Sequence, residues 1–461
     1  MDELLASAGR TAAIFRAGLA EQRVAPDIDM AALRTALGGP LPTAPVAPEQ
    51  VIAELVAAAE PGLMATAGPR FFGFVVGGSL PAATAADVLA AGWDQCAFNA
   101  VLSPAAAVAE EIAGTWLKHL LGLPASASVG FVGGGQEANT VGLACGRHAV
   151  LADVGWDVET AGLQGAPKVR IIASVERHAT VDRSLRLLGF GSDAVEPVAA
   201  RPDGAIDVGD LARVLASRPS APTVVCLQVG NVNTGACDDL RSAVSVARGH
   251  GAWVHVDGAI GLWARASRRL DELTAGLERA DSWSTDGHKW LNVPYDCGIV
   301  FCADSAAHRA SMSISADYLS ISDDDTRDAL DWNPELSRRA RSVPVYAALR
   351  SLGSDGVAEL VDRSCALARR FADGLRGTPG VEVLNDVVLN QVMVRFGDDD
   401  AVTDEVIRRV QEDGTCWVGG SAWRGERVMR ISVVNWSTDA SDVDASLAAI
   451  LRCFAEVAVP A

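Results

Sequence analysis

The sequence predicts an α/β protein: a mostly parallel seven-stranded sheet in a large domain, a helical N-terminal arm and a small C-terminal α/β domain. Three observations lead there. From about residue 80 to 340, short and nearly continuous β-branched apolar runs alternate with helical periodicity, as expected for strands buried on both faces. Up to about residue 75 the apolar spacing is helical only. Beyond about residue 340 a long helical stretch leads into a second, shorter alternation of strands and helices.

In the arm (1–75), Leu4, Leu5 and Ala8, then Val51, Leu55 and Val56, recur at helical intervals, with a proline-rich break over 40–48 between them. In the large domain (76–340) strands are expected at 128–132, 169–174, 194–198, 223–227, 253–256, 282–284 and 298–302. Helices are expected between them at 137–151, 181–188, 240–248 and 270–277. The third domain (341–461) opens within a helical stretch over 334–375. It carries expected strands at 381–384, 391–396 and 428–433 and helices at 402–412 and 441–454.

Composition limits the function. The 461 residues are 49% hydrophobic and 21% charged, a balance that supplies a large core and argues against disorder. A net charge of −19 repels nucleic-acid phosphates and anionic membranes, so small molecules and other protein chains are the expected partners. Asp2 and Glu3 precede any apolar run, the reverse of a secretory signal, and the longest uncharged stretches are broken by Gly and Pro. Nine scattered cysteines without a CxxC pair suggest neither zinc nor redox work. They point to buried thiols in a reducing cytoplasm.

Any chemistry that needs a side-chain amine has three candidates, Lys118, Lys168 and Lys289. Lys118 is expected to be solvated at a helix end, and Lys168 stands beside Pro167 ahead of a strand. Lys289 follows a strand directly, within Asp286-Gly-His288-Lys289-Trp290-Leu291, where flanking tryptophans imply partial burial and hence a more nucleophilic amine. Thirty-odd residues earlier, His255-Val-Asp257-Gly258-Ala259 puts a carboxylate at a strand's carboxyl end. There it faces a ligand crevice or caps the next helix. A third segment, Gly133-Gly134-Gly135-Gln136-Glu137-Ala138-Asn139, runs from a strand into a helix. It offers N–H groups to a phosphate or is a plain turn. An amine, a strand-end carboxylate and a phosphate cradle together are what pyridoxal 5'-phosphate requires.

These three segments resemble those of the pyridoxal phosphate-dependent group II amino-acid decarboxylases, from about residue 69 to 444, most specifically at the Lys289 box. The resemblance implies a fold type I enzyme in which Lys289 carries the cofactor, Asp257 pairs with the pyridine nitrogen and Ala259 packs under the ring. Gly135, Gln136 and His288 would hold the phosphate. His178 would stack on the ring beside the substrate carboxylate, and Asn231 or Thr234 would reach the cofactor. Phe74 and Val75 would line the substrate pocket. Arg430 would bind the α-carboxylate or pair structurally. The arm is expected to wrap a partner, giving a homodimer.

The pocket-like stretch 71–76 has no charged residue, so an uncharged apolar or aromatic L-amino acid is the expected substrate. Arg70, on one face with Phe72 and Phe74 in an alternating strand, leaves room for an acidic one. The sequence departs from the family at a mobile-loop tyrosine, where Ala329 stands instead. This keeps a different lyase, by retro-aldol or C–C cleavage, and a decarboxylating aldehyde synthase in play. A non-catalytic regulatory paralogue is disfavoured by the intact Lys289, Asp257 and His178.

Overall fold

A computed structural model describes residues 2–314 and 326–458. Tyr318 and the acidic run 323–325 lie outside the described residues. The chain gathers into two compact units, one comprising Ser79–Ala366 with Asn385–Gln391, the other Met1–Gly78, Leu367–Leu384 and Val392–Ala461.

The first unit is built on seven strands: β1 (Ser128–Val132), β2 (Arg170–Ser174), β3 (Val195–Val198), β4 (Thr223–Gln228), β5 (Trp253–Asp257), β6 (Ser282–Asp286) and β7 (Gly298–Cys302). Their order is β1-β7-β6-β5-β4-β2-β3. Strands β2 to β6 run parallel, while β7 is antiparallel to both β1 and β6. All seven predicted strands are present; six are buried along their length, save Gln228 at the end of β4, as a sheet covered on both faces requires, while β3 at the edge is only partly buried.

Helix Gly135–Ala152 lies on this sheet and shares one apolar cluster with it, including Val141, Leu143, Val224, Trp253 and Val300. The approach is close because Gly142 has no side chain; a Cβ there would meet His255 Cε1 at 2.5 Å. The helix expected at 270–277 is instead a 3₁₀ segment, Arg268–Thr274, followed by a left-handed Gly276 at φ 93°. Ser267 caps its start and Ala275 turns extended at its end, so no α-helical turn propagates. The long helix Ser342–Leu375 is broken at Gly353, whose φ of 63° is non-helical.

The second unit contains β8 (Val381–Val383), β9 (Gln391–Phe396), β10 (Gly419–Trp423) and β11 (Glu426–Ser432), ordered β10-β11-β9-β8. β10 was not anticipated. Its Gly-Gly-Ser-Ala sequence has little strand propensity, and it forms by pairing with β11 through the two-residue turn Arg424-Gly425, both at positive φ.

The N-terminal helices Asp2–Ala17, Met30–Leu37 and Pro48–Ala59 bury none of their residues. Between and after them the chain is anchored. Val24 N–H donates to Gly414 O, Ala65 N–H to Val24 O, and the Arg23 guanidinium to the carbonyls of Glu412 and Asp413. The alternating strand expected around Phe72 is absent. A single bridge joins Phe71 to Trp417, and Phe74 and Val75 then turn at φ 54° and 71°. The physical reason is Trp417, on which both Phe71 and Phe74 stack, at 4.9 and 5.2 Å between ring centroids.

Candidate active site

Strands β2, β4, β5 and β6 end side by side, and the crevice beyond their carboxyl ends is where ligands bind in open parallel sheets. Asp257 closes β5 and Asp286 closes β6; His178 follows β2 and Gly230 follows β4. Together with Gly135 and Gln136 from the helix start, and with Ala259 and Lys289, they line one cleft. The predicted amine, carboxylate and glycine turn thus converge, with His178.

Asp257 is 5% exposed. Its carboxylate accepts from Asn139 Nδ2 at 3.0 Å and from Ala259 N–H at 3.1 Å, so it is desolvated yet oriented. Lys289 reaches back three residues to Asp286, with Nζ 2.9 Å from Oδ2. The other oxygen of Asp286 accepts the Gly135 N–H at 2.5 Å and lies 3.4 Å from His288 Nε2. Asp286 therefore binds the Lys289 turn to the helix start. A Cβ at Gly135 would lie 2.6 Å from its Oδ2, so only glycine fits. Neither Asp286 nor Asn139 was assigned a role from sequence, although both fall within segments singled out there.

His288 accepts the Cys297 N–H at Nδ1, 3.2 Å, and stacks on Tyr295 at 4.4 Å. Burial holds its pKa below the ordinary histidine value, and burial with the nearby Asp286 charge pushes the Tyr295 phenol up to about 12. The Gln136 side chain points away from the turn, to Ser184 Oγ at 2.9 Å and Thr180 O at 3.2 Å.

Other candidates fall elsewhere. Asn231 does not line the cleft: its Oδ1 accepts the N–H groups of Asn233 and Thr234, and its Nδ2 donates to Glu176 O. Thr234 is buried in the same turn, donated to by Ala236 N–H. Lys118 is half-buried in the last turn of its helix, where it donates to the carbonyls of Ala125 and Ala127, and burial lowers its pKa. In the second unit, Arg430 pairs with Gly419 in the β11–β10 ladder, and burial lowers its pKa. There too Arg70 is occupied, by Thr415 O at 2.8 Å, Ala20 O at 2.6 Å and Asp442 at 3.3 Å. Phe74 is largely exposed and Val75 buried.

These residues fit pyridoxal phosphate. A primary amine stands beside a buried, hydrogen-bonded carboxylate, and a glycine turn opens a helix whose first-turn N–H groups have no intrahelical acceptor; that of Gly135, expected at the phosphate, is held by Asp286, which leaves the next ones, from Gln136 on. Comparison with known proteins agrees. The chain is 28% identical to tryptophan decarboxylase 1 of Oryza sativa subsp. japonica over 440 residues, 89% of this chain and 85% of that one. It is 27% identical to the aromatic-L-amino-acid decarboxylase of Bacillus atrophaeus, covering 75% and 71%. The crystal structure of Oryza sativa TDC with PLP and tryptamine superposes with a TM-score of 0.91 at 25% identity, over 99% of this chain and 97% of that one. The model of the pyridoxal-dependent decarboxylase conserved domain matches residues 34–396, and with the fold type I architecture and the cleft just described, this chain belongs to the family of pyridoxal-dependent decarboxylases.

Proposed function

We propose that this chain converts an aromatic L-amino acid to its amine and CO2, with Lys289, Asp257 and His178 as the catalytic groups. One observation carries the assignment of residues: the amine of Lys289, the buried carboxylate of Asp257 and the ring of His178 line a single cleft at the carboxyl ends of parallel strands. When bound, pyridoxal phosphate supplies an electron sink for the pair left at the substrate α-carbon as CO2 departs. Lys289 Nζ is the amine that holds the cofactor, kept in place by Asp286. Asp257 holds a proton on the pyridine nitrogen, and the Asn139 and Ala259 N–H groups fix its two oxygens. His178 faces the substrate carboxylate. The backbone N–H of Gln136, in the first helical turn, is assigned to the phosphate, with His288 beside it.

An aromatic substrate is supported by the names of the two relatives and by the occupied state of Arg70. Exposed apolar side chains on the N-terminal helices, among them Ile14 at 73%, support a homodimer in which they are covered. Nine free thiols support a reducing, cytoplasmic setting. Among the described residues no helix is long and apolar enough to cross a membrane.

One observation favours a second reading, an aldehyde synthase. Ala329, at the position aligned with the family's loop tyrosine, is buried in the 3₁₀ turn Ala329–Asp331, and no phenol stands there. A single experiment separates the two. The cofactor-loaded protein is given tryptophan, tyrosine, phenylalanine, leucine, glutamate and aspartate, and products are identified by mass spectrometry. Amine and CO2 from the aromatic amino acids support decarboxylation; aldehyde, ammonia and hydrogen peroxide alongside CO2, formed with uptake of dioxygen as the oxidant, support the synthase. Preference for either acid refutes the aromatic assignment. Borohydride trapping and peptide mapping should place the pyridoxyl label on Lys289; a label on Lys118 or Lys168 overturns the site.

A further inference from the structure

We infer that Thr180, held by Asn139, is a positioning residue that fixes the proton of His178 on Nε2. The inference deepens the proposed function and rests on it only for what His178 acts upon. It follows from the direction in which a buried chain of hydrogen bonds must run.

The chain begins at the Trp253 indole, which can only donate, and which gives its N–H to Ser282 Oγ at 3.0 Å. That hydroxyl lies 2.9 Å from His255 Nδ1. His255 is fully buried, and burial pushes its pKa down to about 4, so the ring has one proton at neutral pH. Its Nε2 faces Asn139 Oδ1 at 2.9 Å, an oxygen that can only accept, so the proton sits on Nε2 and Nδ1 accepts from Ser282, whose hydroxyl also lies 3.4 Å from Gly142 O. Ser284 Oγ donates to the same Asn139 oxygen at 2.6 Å.

The carboxylate of Asp257, which can only accept, settles the orientation of the Asn139 amide: its nitrogen faces Asp257, and its oxygen faces His255 and Ser284. Nδ2 donates one hydrogen to Asp257 Oδ2 at 3.0 Å and the other to Thr180 Oγ1 at 3.1 Å. Flipping the amide would set its oxygen against the carboxylate and its N–H groups against the His255 N–H. Thr180 Oγ1, having accepted from Asn139, donates its own hydrogen to His178 Nδ1, 2.8 Å away.

A second donor reaches the same atom. His178 is the N-cap of helix Ala179–Leu187, and its Nδ1 accepts the Thr180 backbone N–H at 3.3 Å. A backbone N–H has no lone pair to offer, so at this longer distance it adds to the bias that the closer hydroxyl sets toward an unprotonated Nδ1, and the neutral ring is the Nε2–H form. Asn139 therefore orients two groups of the site at once. It holds the carboxylate of Asp257 directly and sets the donor face of His178 through Thr180. His178 then offers a hydrogen-bond donor, not an acceptor, to a substrate carboxylate.

The test reads the ring itself. In cofactor-loaded protein carrying ¹⁵N-labelled histidine, two-bond ¹⁵N–¹H correlation should show His178, identified by its loss in His178→Asn, with Nδ1 bare and Nε2 protonated. A proton on Nδ1 overturns the inference. Thr180→Val should lower kcat/KM at least about tenfold, as loss of a tautomer-setting partner does, and give a mixed tautomer signal, while Thr180→Ser restores both. Near-normal kcat/KM with an unchanged tautomer in Thr180→Val also overturns it. Failure of the unmodified enzyme to release CO2 from any amino acid defeats the proposed reaction instead, and the tautomer measurement still decides this inference.

Discussion

Replacing Asp257 separates a catalytic charge from a structural acceptor. The carboxylate is buried and receives two N–H groups, from Asn139 and Ala259. Asp257→Ala leaves both donors without a partner, at about 1–3 kcal/mol each, so it lowers stability as well as activity. Asp257→Asn keeps the volume and an acceptor for the Ala259 N–H but removes the charge. Losing one preorganised electrostatic contact in a water-poor site costs about 3 kcal/mol of transition-state stabilisation, or a factor of about 100 in kcat. The expected result is therefore a roughly 100-fold lower kcat in Asp257→Asn, with a melting temperature lowered by the one acceptor that Asn139 Nδ2 loses, but less than in Asp257→Ala. CO2 release at saturating substrate and cofactor measures the first, and thermal melts the second. Cofactor affinity, followed by absorbance titration, should fall less than kcat. If Asp257→Asn turns over at a near-normal rate, the side chain serves only to hold the turn at Ala259, and its assignment to the pyridine nitrogen is wrong.

Gly142→Ala should be costly despite its small size: the new methyl would overlap the His255 ring, which adds about 1–3 kcal/mol of overpacking and should lower kcat by displacing Asn139. Denaturant titration and steady-state kinetics check both, and an unaffected kcat would show that His255 is not coupled to the site. Arg70→Gln should destabilise the protein by about 1–3 kcal/mol and leave substrate preference unchanged, since the guanidinium is bound to Thr415, Ala20 and Asp442; a gain or loss of activity on glutamate would refute this. Deleting residues 2–60 should yield insoluble or monomeric, inactive protein, and an active, soluble monomer in sedimentation would contradict the proposed dimer. His255 and His308 are both depressed by burial, to about 4 and about 3, below the unfolded value of 6.5. The unfolded chain therefore binds protons that the native one refuses, and stability should fall as pH drops from 6.5 toward 4. Urea midpoints at pH 7 and pH 5 test this, and a His308→Gln variant should show a smaller drop.

What was legible in the sequence was whatever a residue's own neighbours along the chain determine. Most strands of the large sheet are apolar runs that cannot be solvated, and Lys289 and Asp257 stand at or just beyond strand ends, so local pattern and site coincide. β10 was not legible, because Gly419 and Gly420 carry no strand preference and the pairing comes from β11. The alternating strand expected around Phe72 failed for a related reason: Trp417, some 340 residues away in sequence, draws Phe71 and Phe74 to one side and forces the turn between them. Arg70 fell with it, since its acceptors come from Ala20, Thr415 and Asp442, which no window of sequence brings together. The same holds for Asn139. Its segment was conspicuous for glycines, but its importance lies in four partners contributed by β5, by β6 and by the start of the helix that follows β2. A polar residue one turn into a helix reads as an ordinary surface or capping position until those partners surround it. Buried and fully partnered, it becomes the point through which the orientation of a carboxylate and of an imidazole are set together, so that disturbing either strand end should be felt at the other.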